Sequence, residues 1–360
     1  MRWSGFIAIV ALLAALAGET RAQRQSWSLE RRAAPSSLGW SEEGLAAVRR
    51  FAESNGTAAM IVVTDDLTVL AWGPTSHRFR AHSMRKSFLS ALIGIAIERG
   101  QIETAATLAD LDIDDAPPLT AGERTATVLQ LLQARSGVYH AAASETAEMR
   151  SARPQRGAFS PGEHWYYNNW DFNTLGTIYT RAAGETVGAA FAKEIAAPTG
   201  MQDFRAEDVR DQLEDVSRHA AYKFRISARD LARFGLLFLH DGAWGDRQVV
   251  PRAWVVESTA LRSRTDQSGS KSGYGLMWWV TATADDGLPP GSYTASGSGG
   301  QRLTILPGID TVVVHLMDTD LDGGPRIGTS TYNELLRRLL AARQRPVPGN
   351  VIARRTPGDG

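Results

Sequence analysis

One stretch limits the folds open to this chain more than any other. Residues 83–97 read SMRKSFLSALIGIAI, and Phe88, Leu89, Leu92, Ile93, Ile95, Ala96 and Ile97 wrap almost the whole circumference of a helix. A helix that is apolar on nearly every side needs partners on nearly every side, so it belongs in the centre of a core. Gly100 stops it. Its first turn breaks the apolar pattern. A helix starting at Ser83 places the Lys86 amine one turn on, on the same face as the Ser83 hydroxyl. A lysine desolvated by apolar neighbours loses its proton more readily and can act as base to a serine without help from histidine. The spacing S-x-x-K is common by chance. On the first turn of a buried helix it calls for a reason, and catalysis supplies one.

The rest of the chain falls into three blocks around that helix. Ser41 can cap a helix whose apolar side holds Leu45, Val48 and Phe51. Met60-Ile61-Val62-Val63 and Leu67-Thr68-Val69-Leu70 flank Asp65-Asp66 and read as a β-hairpin. From about 101 to 259 helical signals dominate. Thr127 and Gln130 form a capping box, and Ser227 with Asp230 does similar work before Leu231, Phe234, Leu237 and Phe238. Strand signals return at Leu276 to Val280, Arg302 to Leu306 and Thr311 to Met317, and an amphipathic helix follows from about Thr331. The expected fold class is therefore α+β. Helices flank one antiparallel sheet built from both chain ends, with an all-helical lobe inserted and the Ser83 helix at the seam. The expected boundaries are a sheet lobe over 41–100 and 260–345 and a helical lobe over 101–259.

At 360 residues the chain can bury a substantial core, and lysine plus arginine balances aspartate plus glutamate. Net charge thus gives no hint of nucleic acid or an acidic membrane as partner. There is no cysteine, which excludes disulfides, thiol nucleophiles and cysteine-held metals. Met1-Arg2 followed by the apolar run Phe6 to Ala17 reads as a secretory signal, with a cut expected after Ala22. The run is shorter than a spanning helix needs, so no stable membrane span is expected once it is removed, and the destination is periplasmic or extracellular. Residues 23–40 read as a linker and 346–360 as a disordered tail.

Acyl transfer to Ser83 would also need a proton donor for the leaving atom and donors for the developing oxyanion. The segment Pro161-Gly162-Glu163-His164-Trp165-Tyr166-Tyr167-Asn168-Asn169 offers a phenol and an amide two residues apart, in Tyr167 and Asn169. A tyrosine beside a lysine ammonium has its phenolate favoured and could exchange protons with Ser83. The alternative use of so aromatic a loop is packing. Gly297-Ser298-Gly299-Gly300-Gln301 precedes a strand, and an N–H near Gly300 or Gln301 could pair with that of Ser83 as an oxyanion hole. The alternative there is a plain glycine-rich hairpin.

S-x-x-K opening a helix, then Y-x-N, then a glycine-rich strand entry resembles the serine β-lactamase and penicillin-binding-protein superfamily. It is most similar to the class C β-lactamase-related branch, with its carboxylesterases and 6-aminohexanoate-dimer hydrolase. The likeness takes in Leu131 to Val138, Phe159 to Asn169, Arg225 to Gly235, Gly242-Ala243-Trp244, Tyr274 to Trp279 and Gly299-Gly300-Gln301, and spans about residues 41–343. It implies an exported serine hydrolase acting on small esters or amides through an acyl-Ser83 intermediate, with no metal or cofactor. Lys86 would be base partner and Tyr167 general acid/base. Asn169 would orient Lys86 or a substrate amide, and Ser298, Gly299, Gly300 and Gln301 would border the substrate. The third motif departs from the lactamase Lys-Thr/Ser-Gly. Its equivalent here is expected at Ser298-Gly299-Gly300, while Lys271-Ser272-Gly273 spells the motif on the wrong side of Trp278-Trp279. Two other functions share the motifs: a β-lactamase or D-alanyl-D-alanine carboxypeptidase, and a catalytically inactive binding protein on the same fold.

His82 beside Ser83 invites a Ser-His-Asp reading, but neighbours on a helix point about 100° apart. No Gly-x-Ser-x-Gly elbow supports that class. Asp110, Asp112, Asp114 and Asp115 resemble a calcium loop without its glycine and closing glutamate, and read better as a solvated acidic turn.

Overall fold

The computed structural model describes residues 27–265, 272–281, 288–289 and 291–344. The expected signal segment and the tail lie outside the described residues, as does Lys271. Among the described residues no helix is long and apolar enough to cross a membrane.

The sequence order of the main elements is as follows. Helix α1 (Glu42–Ser54) leads into strands β1 (Ala59–Thr64), β2 (Leu67–Trp72) and β3 (Arg78–Arg80), then helix α2 (Arg85–Glu98). Helix α3 (Asn169–Ala183), strands β4 (Val209–Glu214) and β5 (Ser217–Ser227) and helix α4 (Ala228–Leu239) follow. After helix α5 (Arg252–Ser258) come β6 (Ser263–Arg264), β7 (Ser272–Tyr274), β8 (Trp279–Thr281), β9 (Tyr293–Gly297), β10 (Gln301–Leu306), β11 (Thr311–Leu316) and helix α6 (Thr329–Ala341).

Both chain ends meet in one eight-stranded sheet of order β2-β1-β11-β10-β9-β8-β7-β6. Its pairs are antiparallel, with Ile61 opposite Val314 and Val313 opposite Thr304. Every residue of β1, β10 and β11 is buried, because helices cover both faces. On one face Met60, Val62 and Val313 pack with Leu45 and Val48 of α1 and Leu335, Leu336 and Leu339 of α6. On the other, Ile61, Val312 and Leu303 pack with Leu231, Phe234 and Phe238 of α4 and, beyond it, with α2. The caps sit where local chemistry placed them. Ser41 Oγ accepts from the Gly44 N–H at 3.1 Å, and the Thr127–Gln130 box is complete. The α+β sheet-and-helix architecture is thus present.

Two expectations need correction. The inserted lobe is not all-helical, because β4 and β5 pair as a hairpin and β5 also pairs with β3. In β5, buried Tyr222, Phe224 and Ile226 alternate with the more exposed Lys223 and Arg225, a strand period that draws its stability from the distant Arg78–Arg80 segment. Nor is Leu276–Val280 one strand. Its first part is a buried turn: Gly275 N–H donates to Trp278 O at 2.9 Å, and Met277 has φ 65°. Ser87 and Ser90 of α2 donate to the carbonyls of Met277 and Leu276, both at 2.8 Å. An apolar turn can be buried there because the helix meets its backbone acceptors.

Helix α2 is central, as its composition demands, with every residue from Arg85 to Ala96 buried. At Gly94 an added Cβ would lie 2.2 Å from the Trp254 ring of α5. Gly94→Ala is therefore expected to destabilise the fold by about 1–3 kcal/mol despite its better helix propensity. The urea midpoint checks this, and a variant as stable as the parent would show that α5 shifts at no cost.

Candidate active site

Ser83 sits in a single 3₁₀ turn, His82–Met84, that runs straight into α2. The turn is fastened to the second sheet: the Ala81 N–H donates to the Phe224 carbonyl at 2.9 Å. Lys86 then projects back beside it, and its amine is hydrogen-bonded to the Ser83 hydroxyl at 2.9 Å. The Lys86 side chain is 2 % exposed, with its nitrogen 4.7 Å from the centroid of the Tyr167 ring and 5.0 Å from that of Phe172. Burial pushes its pKa well below that of an ordinary lysine, and the nearby charges of Arg85 and Lys223 push the same way. The neighbour of the Ser83 hydroxyl is thus an amine shifted toward its neutral, proton-accepting form.

Tyr167 arrives on a loop pinned at both ends. The Tyr166 N–H donates to Ala134 O at 3.0 Å. Asn168 caps α3, accepting from the Trp170 N–H at 3.1 Å and donating to Val138 O at 2.6 Å. The Tyr167 phenol lies near enough to Ser83 for the hydroxyl to favour its ionised form, while that of Tyr166 donates to Met149 O at 2.7 Å. Loss of solvent pushes the Tyr167 phenol up to about 12, against the downward pull of the Ser83 hydroxyl and of the Arg85 and Arg302 charges. The balance thus favours the protonated phenol over the phenolate expected from a lysine neighbour, because loss of solvent outweighs the nearby charges. Ser83, Lys86 and Tyr167 are brought together in one cluster at the start of α2.

Asn169 lies on the first turn of α3 but does not bond to Lys86. Its amide donates to Ser144 O at 2.7 Å, and its Oδ1 is buried without a partner among the described residues. The glycine-rich segment lies at the end of β9 and the start of β10. Gly297, the last residue of β9, approaches the turn that carries Ser83, where an added Cβ would lie 2.5 Å from Ala81 O and 3.2 Å from His82 Cβ. Ser298 is exposed, and Gly299 packs against Thr319 and Arg326. Gly300 packs against Met317 and Ile327, and its carbonyl bonds to His315. Gln301 is fully buried as a clamp, its Nε2 donating to the carbonyls of Arg80 and Met317 at 2.9 and 3.0 Å. Gly297 therefore makes the close approach to the residues that precede Ser83, while Gly299 and Gly300 lie against the 317–327 segment.

Other residues singled out by sequence have structural places. His82 bonds to Thr319 Oγ1 at 2.8 Å, away from Ser83. Asp115 is buried and accepts from Trp170 Nε1, Ser217 Oγ and the Arg218 N–H, so it is a structural anchor and not part of a solvated turn. Trp165 and Trp279 join Tyr167 and Tyr274 in an aromatic wall, while Trp278 belongs to the core. Sequence reasoning missed Arg85, which bonds to Asn173 Oδ1 at 2.9 Å and stacks 4.2 Å from the Tyr222 centroid. Its only signal was a second cation inside a buried helix.

Residues 46–337 match the family model described as Beta-lactamase. Solved structures share the fold at low identity. A candidate 6-aminohexanoate-dimer hydrolase from Bacillus anthracis is 19% identical, with TM-score 0.61 and 80% of each chain covered. A penicillin-binding-protein homolog from Caulobacter crescentus is 19% identical, with TM-score 0.63, covering 84% of this chain and 99% of that one. A class C beta-lactamase is 15% identical, with TM-score 0.63, covering 88% of this chain and 98% of its own.

Proposed function

The chain belongs to the beta-lactamase family, and from that premise we propose that it is a serine hydrolase cleaving small ester or amide bonds through an acyl-Ser83 intermediate. The contact among Ser83, Lys86 and Tyr167 carries this reading. The neutral Lys86 amine takes the Ser83 proton as Oγ attacks the carbonyl carbon. The Tyr167 phenol gives its proton to the departing oxygen or nitrogen and regains one from the Lys86 ammonium. Water, deprotonated by the same pair, then cleaves the acyl-enzyme. A panel of p-nitrophenyl esters, short-chain amides and a chromogenic cephalosporin, with mass spectrometry of the intact protein, tests it. An acyl adduct on Ser83 with faster ester or amide turnover supports the reading. Faster cephalosporin turnover would move it to a β-lactamase, and no adduct from any substrate would favour an inactive binding protein.

The pH profile follows from the two shifts. Activity needs the amine unprotonated and the phenol protonated. On a neutral ester, kcat/KM should therefore rise with pH around a midpoint well below the 10.5 of an ordinary lysine. It should then hold until Tyr167 ionises toward about 12. A rate that falls through the neutral-to-alkaline range would contradict this assignment of roles.

We also propose export, supported by the charged start and the short apolar run of residues 1–22. N-terminal sequencing of protein from the periplasm or medium should begin at Gln23. Full-length protein retained with cells would oppose it.

A further inference from the structure

Helix α2 buries two basic side chains on neighbouring residues of its first turn, Arg85 and Lys86. Neighbours on a helix point about 100° apart, so the two meet different surroundings. Lys86 faces Ser83. The Arg85 guanidinium instead stacks 4.2 Å from the centroid of the Tyr222 ring on β5 and donates to Asn173 Oδ1 on α3 at 2.9 Å. Its Nη1 is buried without a partner, and Arg85 forms no ion pair among the described residues. The two basic side chains nevertheless share one stretch of α3. Lys86 Nζ lies 5.0 Å from the Phe172 ring centroid, the Tyr222 hydroxyl donates to the Phe172 carbonyl at 3.1 Å, and Asn173 is the next residue.

Taking a guanidinium out of water is costly unless a carboxylate answers it, and an apolar side chain of similar volume would fill the same space without that cost. The ionisable groups around the pair are Tyr167 just before α3, Asp171 on its first turn, Tyr222 and Lys223 on β5, Tyr274 on β7 and Arg302 on β10. Burial favours the neutral form of all three phenols and of Asp171, whose carboxyl is held well above the usual carboxylate range. Asp171 is moreover bonded to Ser136 and Asn168. On β4, Glu214 accepts from the Ser144 N–H and the Gln212 amide and forms no ion pair with Arg85. His82, in the turn before α2, is bonded to Thr319. No carboxylate therefore offsets the Arg85 charge by direct contact, and a guanidinium stays charged across the range in which enzymes work. Its field pushes both Lys86 and Tyr167 down, which at Lys86 favours the form that can accept a proton.

We propose that Arg85 is a positioning residue for the reaction: fixed by Tyr222 and Asn173, it supplies an unneutralised charge that disfavours a second cation at Lys86 and so keeps that amine ready for the Ser83 proton. The proposal rests on the hydrolase reading for the use of the amine, but the charge of Lys86 can be followed without turnover. The chain has four lysines, Lys86, Lys193, Lys223 and Lys271, so NMR of protein with ¹³C-labelled lysine gives few signals, and Lys86→Met assigns the one from Lys86. Arg85→Gln keeps a donor for Asn173 and removes the charge. It should raise the proton affinity of Lys86 about tenfold, moving its titration up by about one pH unit. Arg85→Lys keeps the charge and should leave the titration near that of the parent. On a neutral ester the acid limb of kcat/KM should move by the same amount in Arg85→Gln, whereas a merely structural loss would lower the rate at every pH and leave the limb in place. Arg85→Met repeats the test if Arg85→Gln melts early, since an apolar replacement leaves no second polar group to bury. A Lys86 titration unmoved by either neutral variant overturns the proposal, whatever the rates. A titration that moves in a protein that never acylates Ser83 would instead overturn the hydrolase reading and leave the field of Arg85 standing.

Discussion

Ser83→Ala is expected to lower kcat/KM on an activated ester by roughly 10⁴-fold or more, with the melting temperature nearly unchanged. The size follows from the arrangement. Removing the nucleophile's oxygen leaves Lys86 and Tyr167 with nothing between them to activate, and groups that act as a unit fail together. The small structural effect follows from the site's position. Ser83 is only partly buried, and its turn is held by the Ala81–Phe224 backbone bond and not by its own side chain. Steady-state kinetics with mass spectrometry of the esterified protein decide the matter. Residual activity within about tenfold of the parent, or an adduct persisting on the variant, would place the nucleophile elsewhere.

What could be read in advance was what local sequence controls. Ser83 and Lys86 meet because three residues of helix allow little else, and the all-round apolar run puts that helix in the core. Ser41, Thr127 with Gln130, and Ser227 cap helices through contacts within a few residues. What escaped reading depends on distant partners. The 209–227 hairpin exists because β5 can pair with residues 78–80, and the Leu276 turn is buried because Ser87 and Ser90 reach its carbonyls. Gly297 differs from Gly299 and Gly300 in its extended φ and in what lies opposite it, neither of which shows in the sequence. The direction of the Tyr167 shift was misjudged for the same reason. Spacing identifies a lysine neighbour, but only the packed structure shows that loss of solvent pushes the phenol up and the amine down.

Lys86→Met should separate catalysis from stability most clearly. Methionine fills much of the same volume, and its thioether lies comfortably against Tyr167 and Phe172. Loss of the base should cost about 10²–10⁴-fold in kcat. Stability should move the other way. A buried amine is costly to desolvate, and replacing it with an apolar side chain of similar shape should raise stability by about 1–3 kcal/mol near neutral pH. The pH dependence supplies the check. Because the folded state holds the amine's pKa below the ordinary 10.5, the unfolded chain binds an extra proton between those two values. The parent's stability therefore rises with pH across that window, and the fully charged penalty applies below it. The variant lacks this slope, so its advantage should shrink as pH approaches 10.5. Urea unfolding at a series of pH values would show the two curves converging. Curves that stay parallel would mean that Lys86 is charged in the folded protein, and another group would then have to take the Ser83 proton.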